Sequence, residues 1–295
     1  MANTQQQSSS SEMTFFEHID ALRPHLVRGV LSILIIAIVA FCCRELLIDT
    51  ILFGPRTADF PTNRFLMWMS EQINVLCAWI NSWAGTSLAT DNTIPLLDAQ
   101  FETINTTMSG QFNLHMRISF ITGLSLAIPY LVWELWRFVK PALTEKEVRG
   151  TRWIVFWVSL CFFAGMCFGY FIMAPLSINF FISYEASQYI TNMIDVGDYF
   201  SMVLTTSLVC ALLFQLPLLI YFLTRIGLVS SRFLKKYRRH ALVLLMVVAA
   251  IITPPDIFSL FLVTIPLYSL YEFSIRLSAK VERKMAAKKA AESAA

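Results

Sequence analysis

The sequence predicts an all-α membrane protein with six transmembrane helices and both termini on the same side of the bilayer. Three observations carry that prediction. First, the 295 residues are 56% hydrophobic and only 15% charged, with a mean hydropathy of +0.60, whereas a soluble domain carries about 25% charged residues. Second, the apolar residues are gathered into six runs, most of them near the roughly 20 residues that a helix needs to cross about 30 Å of hydrocarbon. Third, the cations lie almost entirely in alternate connecting segments.

The elements follow in order. Residues 1–13, opening "MANTQQQSSSSE", are polar, lack a basic n-region and read as a disordered tail, not a signal peptide. A membrane domain fills 14–275, with spans at about 26–47, 114–137, 153–175, 200–224, 240–254 and 257–275. The spans are expected to be helices, because in lipid every backbone group must find its partner within its own segment. The fifth is short, ending at "TPPD". A long loop, 48–113, separates the first two spans. Within it Phe65, Met69, Ile73, Leu76, Ile80 and Trp83 recur at helical spacing. That amphipathic helix either packs over the external face of the bundle, or lies in the outer leaflet or against a partner. Residues 276–295 form a basic tail suited to anionic lipid.

Charge sets the orientation. If the N-terminus, the 2–3 loop, the 4–5 loop and the C-terminus share one side, that side holds nineteen of the 23 Lys and Arg; only Arg44, Arg56, Arg64 and Arg117 lie elsewhere. Both termini are therefore expected in the cytoplasm. Trp133, Trp136, Trp153 and Trp157 flank the 2–3 loop as an interfacial aromatic belt.

Several chemistries lack their groups. The six cysteines show neither CxxC nor a zinc-ligand spacing. The four histidines, His18, His25, His115 and His240, lie near span ends, and there is no HExxH, Walker A or GxGxxG motif. No enzyme activity, metal, cofactor or nucleic-acid partner is expected. The acids available inside apolar runs are Glu134 and Glu272, both near cytoplasmic ends, while mid-span four carries Gln215 followed by the helix-loosening Pro217.

The most informative stretch is "RFVKPALTEKEVRGTRW", a basic loop that nonetheless contains Glu145 and Glu147. Thr144 and Glu147 have capping-box spacing at the start of the third helix. Pro254 and Pro255 enforce a stop between spans five and six, with Asp256 as N-cap of the last helix. Pro55 suits a turn after the first span, and Glu272 suits an interfacial acid.

Taken in order, "EHIDALRPHL", "PYLVWELWRFVKPALTEKE", "GMCFGYFIMAPL", "LLFQLPLLI" and "TPPDIFS" resemble the twin-arginine translocase core subunit, the TatC family, across roughly residues 14–275. The resemblance implies a concave, glove-shaped bundle with short fifth and sixth helices in the bacterial cytoplasmic (inner) membrane. It implies a receptor that binds twin-arginine signal peptides at the cytoplasmic face. It further implies work with TatA/TatB-type single-span subunits, a homo-oligomer within a receptor complex, and export of folded proteins driven by the proton-motive force. The family's signal-binding glutamate falls on Glu147, with Phe138 and Arg149 at neighbouring family positions. Arg23 matches the arginine of the N-terminal motif, but the acid two residues earlier is Ala21 here, leaving Asp20 or Glu17 to substitute. Gln215 stands where the family often has a glutamate facing the cavity; glutamine keeps the hydrogen bonding and cannot ionise. Pro55 matches a family proline.

A second class remains open, a secondary transporter of a small solute. Such a carrier needs a midplane site and often internal repeats, and the two halves of this chain differ strongly in loop length. A receptor binds near Glu147, a carrier near Gln215.

Overall fold

The computed structural model describes residues 15–57, 59–84, 103–140, 153–184, 187, 189, 193–253 and 257–293. Glu147, Arg149, Pro254, Pro255 and Asp256 lie outside them, as does the Thr144 capping box. Glu17 and Asp20 fall in the first turns of a helix, with only their backbone described.

The chain is a bundle of helices. The first, α1 (Phe15–Cys42), starts well before its apolar run and carries Pro24 inside it. A π-helical turn, Leu46–Leu52, and a 3-10 turn, Gly54–Arg56, lead to α2 (Pro61–Ala84), the amphipathic helix anticipated in the long loop. Next come α3 (Gly110–Val139) and α4 (Ile154–Phe168); a π turn at Gly169–Met173 joins α4 to α5 (Ala174–Ser183). Span four is two helices, α6 (Val196–Leu213) and α7 (Leu216–Arg225). Short α8 (Ser231–Lys236) precedes α9 (Arg238–Ile252), and α10 (Ile257–Ser293) completes the described chain.

Among the described residues five stretches are long and apolar enough to cross a membrane, Leu22–Cys42, Gly110–Phe138, Ile154–Ile182, Val196–Arg225 and Leu260–Ala287. The remaining apolar segment is α9, only 15 residues long, the short fifth helix that the run before "TPPD" foretells. The sixth helix, expected to be short, is instead 37 residues long: the apolar segment 257–275 occupies the first half of α10, and the helix continues through the basic tail. Lys, Ala, Glu and Arg in that tail are all good helix formers.

The pair α1/α3 is antiparallel. Its register is read from His25 against Glu134, Leu131 against Gly29, Ala37 against Gly123, and Phe41 stacked on His115 at 4.0 Å. Gly123 permits the approach: a Cβ there would lie 2.8 Å from the Ala37 backbone. Spans three and four approach as closely, since a Cβ on Gly169 would meet the Ser207 Cα at 2.6 Å. Small residues at such contacts let helix backbones pack where lipid supplies no hydrophobic driving force.

Proline explains the two breaks. Pro175 has no N–H for the Phe171 carbonyl one turn earlier, and the helix widens into the π turn there. The freed carbonyl accepts from the Thr62 hydroxyl on α2. Pro217 likewise cannot serve Leu213, and span four breaks at Phe214–Gln215.

Two apolar cores result among the described residues. One gathers Leu47, Leu52, Leu114, Ile118, Ile178, Tyr199 and Phe200. The other joins Met173, Cys210, Ile220, Leu234, Leu245, Val263, Leu267 and Ile275, binding spans three and four to α9 and α10. A two-residue parallel ladder, β1 (Thr103–Ile104) on β2 (Ile194–Asp195), ties the loop after span one to the loop after span three. Asp195 then caps α6, accepting from Gly197 N at 2.8 Å and from the Thr106 hydroxyl at 2.8 Å.

Helix α2 is held mainly by its first turn. Asn63 donates to the carbonyls of Pro55 (3.0 Å) and Thr57 (2.9 Å) and accepts from Asn179 (3.3 Å). Asn63, Leu66 and Ser70 are buried on one side. On the opposite side Phe65, Trp68, Val75, Trp79 and Trp83 form an exposed stripe, Trp83 being 82% exposed. The bundle thus takes the Asn63, Leu66 and Ser70 face of α2, and the aromatic face points away from it.

Candidate functional site at the α1/α3 end

The end of the bundle where α1 begins and α3 finishes carries the described part of the predicted receptor patch. Arg23 is exposed on α1. Phe138 is half-buried on α3, with the His25 ring edge-on at 6.1 Å. Glu147 and Arg149 belong to the segment following α3, outside the described residues.

Beside Phe138 the structure brings together a cluster that no sequence pattern assembles. Glu134 is 2% exposed. Its carboxylate accepts from His25 Nδ1 at 2.5 Å and from the Tyr130 hydroxyl at 2.9 Å, with the Arg137 guanidinium 3.8 Å away. A carboxylate only accepts, so Nδ1 carries the proton in this bond. Arg137 also lies over the Trp133 ring, 4.9 Å from its centroid. The spacing follows from the helix: residues 130, 133, 134, 137 and 138 of α3 are neighbours at three and four apart. An acid inside an apolar run was the available signal for Glu134. Its partner, on another helix, had none.

The arrangement fixes the mutual height of α1 and α3 and sets His25 against Phe138. Position 21, alanine in this chain, lies one helical turn before His25 on the same face of α1. The carboxylate bonded to His25 on that face is Glu134 of α3.

The other predicted residues fall elsewhere. Gln215 sits at the break in span four, where its Nε2 donates to the Val158 carbonyl of span three at 3.2 Å. Its Oε1 is buried with no hydrogen-bond partner among the described residues. Glu272 on α10 binds Arg238 of α9 at 2.8 Å and the Tyr268 hydroxyl at 3.1 Å, so it clamps two helices together. Pro55 is buried in the 3-10 turn, and its carbonyl receives Asn63. No group of three or more His, Cys, Asp or Glu suited to a metal occurs among the described residues.

Comparison with known proteins gives the chain its family. Residues 17–266 match the family described as Sec-independent protein translocase protein (TatC). The Sec-independent protein translocase protein TatC of Blattabacterium sp. subsp. Periplaneta americana is 37% identical over 277 residues, covering 94% of this chain and 99% of that protein. That of Halalkalibacterium halodurans is 29% identical over 274 residues, 93% of this chain and 92% of the relative. The crystal structure of the twin arginine translocase receptor TatC in DDM superimposes with a TM-score of 0.63 at 26% identity, over 88% of this chain and 99% of that one. With its helical fold and its family match agreeing over most of its length, the chain belongs to the TatC family of Sec-independent protein translocases, multi-pass proteins of the inner membrane that form part of the Tat translocase complex.

Proposed function

We propose that this chain is the signal-peptide receptor of its translocase, taking up paired-arginine segments at the cytoplasmic end of the bundle where α1 begins and α3 finishes. The observation that carries the reading is Glu147 within "FVKPALTEKE", the residue that the resemblance to the TatC family aligns with its signal-binding glutamate. The geometry supports it. The His25–Glu134 bond draws the ends of α1 and α3 together and sets His25 beside Phe138, while Arg23 is exposed at the same end of α1.

The chemistry suits the ligand. A carboxylate can hold a guanidinium through two parallel hydrogen bonds, a fork that lysine cannot copy. The surrounding cations Arg137, Lys140, Lys146, Arg149 and Arg152 repel basic segments that lack the fitting fork. Asp20 and Glu17 offer further anions near Arg23, in place of the acid that Ala21 removes. The cation bias sets both termini in the cytoplasm. Folded cargo then crosses at the expense of the proton-motive force, with TatA/TatB-type single-span subunits as partners and more than one copy of this chain in the complex. Gln215 takes no part in proton transfer, because an amide does not titrate in this range.

The test is crosslinking of an RR signal peptide and its KK variant to membranes containing the native chain or Glu147→Gln. RR is expected to crosslink in preference to KK, and Glu147→Gln to erase the preference. Equal crosslinking of RR and KK by the native chain overturns the reading.

A further inference from the structure

A second charged site lies where α8, α9 and α10 meet, away from the α1/α3 end. Helix α8 ends in Lys235 and Lys236, Tyr237 turns the chain, and α9 opens with Arg238, Arg239 and His240. The one-residue bend brings the cations of both helices around a single cleft of about 530 Å³, whose other wall includes Leu242 and Tyr268.

The charge in this cleft is unbalanced. The carboxylate on its α10 wall is Glu272, and that group is occupied by Arg238 and Tyr268. Glu282, further along α10, accepts from both the backbone N–H and the hydroxyl of Ser231. Among the described residues no carboxylate lies within ion-pair distance of Lys235, Lys236 or Arg239. All three are exposed. Like charges held this close repel, and an anion in the cleft relieves that cost.

The surroundings say which anion. Below the cations α9 presents an uninterrupted apolar face: Val243, Leu244, Val247 and Ile251 are 52–79% exposed. Phe233, Tyr237 and Tyr268 stand at the level of the cations, the aromatic arrangement of a membrane interface. A ligand that fits both parts has a phosphate at one end and hydrocarbon at the other. We propose that the cleft binds the phosphate headgroup of an anionic phospholipid from the cytoplasmic leaflet, with its acyl chains along α9. Lys235, Lys236 and Arg239 contact the phosphate, and the Arg238–Glu272 pair holds the wall. The site uses the same cytoplasmic orientation as the receptor reading and none of its residues.

The experiment uses the full chain, purified in detergent, with native mass spectrometry of retained lipid. Added phosphatidylglycerol is expected to remain bound where phosphatidylcholine does not, and millimolar inorganic phosphate is expected not to displace it. Removing the cleft charges as K235Q/K236Q/R239Q is expected to weaken phosphatidylglycerol retention by about tenfold or more. Removing the same number from the tail as K280Q/R283Q/K284Q is expected to change it less than about twofold. Equal loss in the two variants overturns the proposal, because it shows charge attraction without a site. Displacement by inorganic phosphate also overturns it, by identifying free phosphate as the ligand. If the triple variant fails to fold, K236Q/R239Q against the tail pair K280Q/R283Q takes its place: a loss of about fivefold in the first and under about twofold in the second is expected, and equal losses overturn the proposal.

Discussion

His25 Nδ1 and Glu134 lie 2.5 Å apart, joining α1 to α3 at a carboxylate that is 2% exposed. Because Tyr130 shares the same carboxylate, removing Glu134 strands two donors at once. Glu134→Ala is expected to destabilise the protein more than His25→Ala. A double-mutant cycle read by thermal unfolding in detergent should give a coupling of about 1 kcal/mol or more. Additive effects of the two substitutions would show that the pair does not hold the helices together. The same variants should retain RR crosslinking less well than their stability loss alone explains, since Phe138 loses the His25 ring that borders it.

The contact between Gly123 and Ala37 gives a second expectation. A side chain at 123 must push the Ala37 backbone away, with no flexible neighbour to yield. Gly123→Val is expected to cost about 1–3 kcal/mol. Gly227, which has φ +82° and open space around it, should respond through its backbone: Gly227→Asn is expected to be milder than Gly227→Val. Thermal midpoints of the three variants check both statements, and a neutral Gly123→Val would refute the close packing.

Asp195 makes the loop ladder sensitive to acid. The Thr106 hydroxyl, followed by the Gly197 backbone N–H, holds its carboxyl below the usual carboxylate range. A depressed folded-state pKa contributes stability above the ordinary value of about 4, and that contribution is lost as pH falls through the folded value. The link between β1 and β2 is therefore expected to be intact at neutral pH and to loosen only below the ordinary carboxylate range. Hydrogen exchange at Thr106 and Gly197, corrected for intrinsic rates, should rise there in the native chain. In Asp195→Asn it should show no such step; an identical step in that variant would sink the assignment.

The outward stripe of α2 gives a fourth expectation. Trp79 and Trp83 are stacked in parallel planes, 6.4 Å between centroids, on the face turned from the bundle. In a bilayer that face is expected to lie in the outer interface. Brominated lipid should quench the native chain more than Trp79→Phe or Trp83→Phe, while aqueous iodide should distinguish them little. The reverse pattern would place the stripe in water.

The spans were legible because an apolar run of membrane length has few other uses, and the short fifth helix because "TPPD" cuts its run. The early start of α1 was less so, since Pro24 and the charges around it mask a helix that begins at Phe15. The periodicity of α2 foretold a helix. It did not say which face would dock, because the docking rests on Asn63 and on a carbonyl released by Pro175 in a distant span. Glu134 stood out as an acid in an apolar run, whereas its bond to His25 depends on the antiparallel register of α1 and α3, which no local pattern encodes. Arg23 and Phe138 enter the proposal through the family motifs; periodicity alone marks neither.

Helix α10 has a mechanical consequence. Its 37 residues span about 55 Å at 1.5 Å per residue, and the hydrocarbon core takes up about 30 Å. Roughly 25 Å is left as a stalk, braced near its base where Glu282 grips Ser231. Anything attached to the last residues is therefore carried at a set standoff from the bilayer, like a lamp on a post. A fluorophore placed there becomes a ruler for the distance between this subunit and whatever docks beneath it.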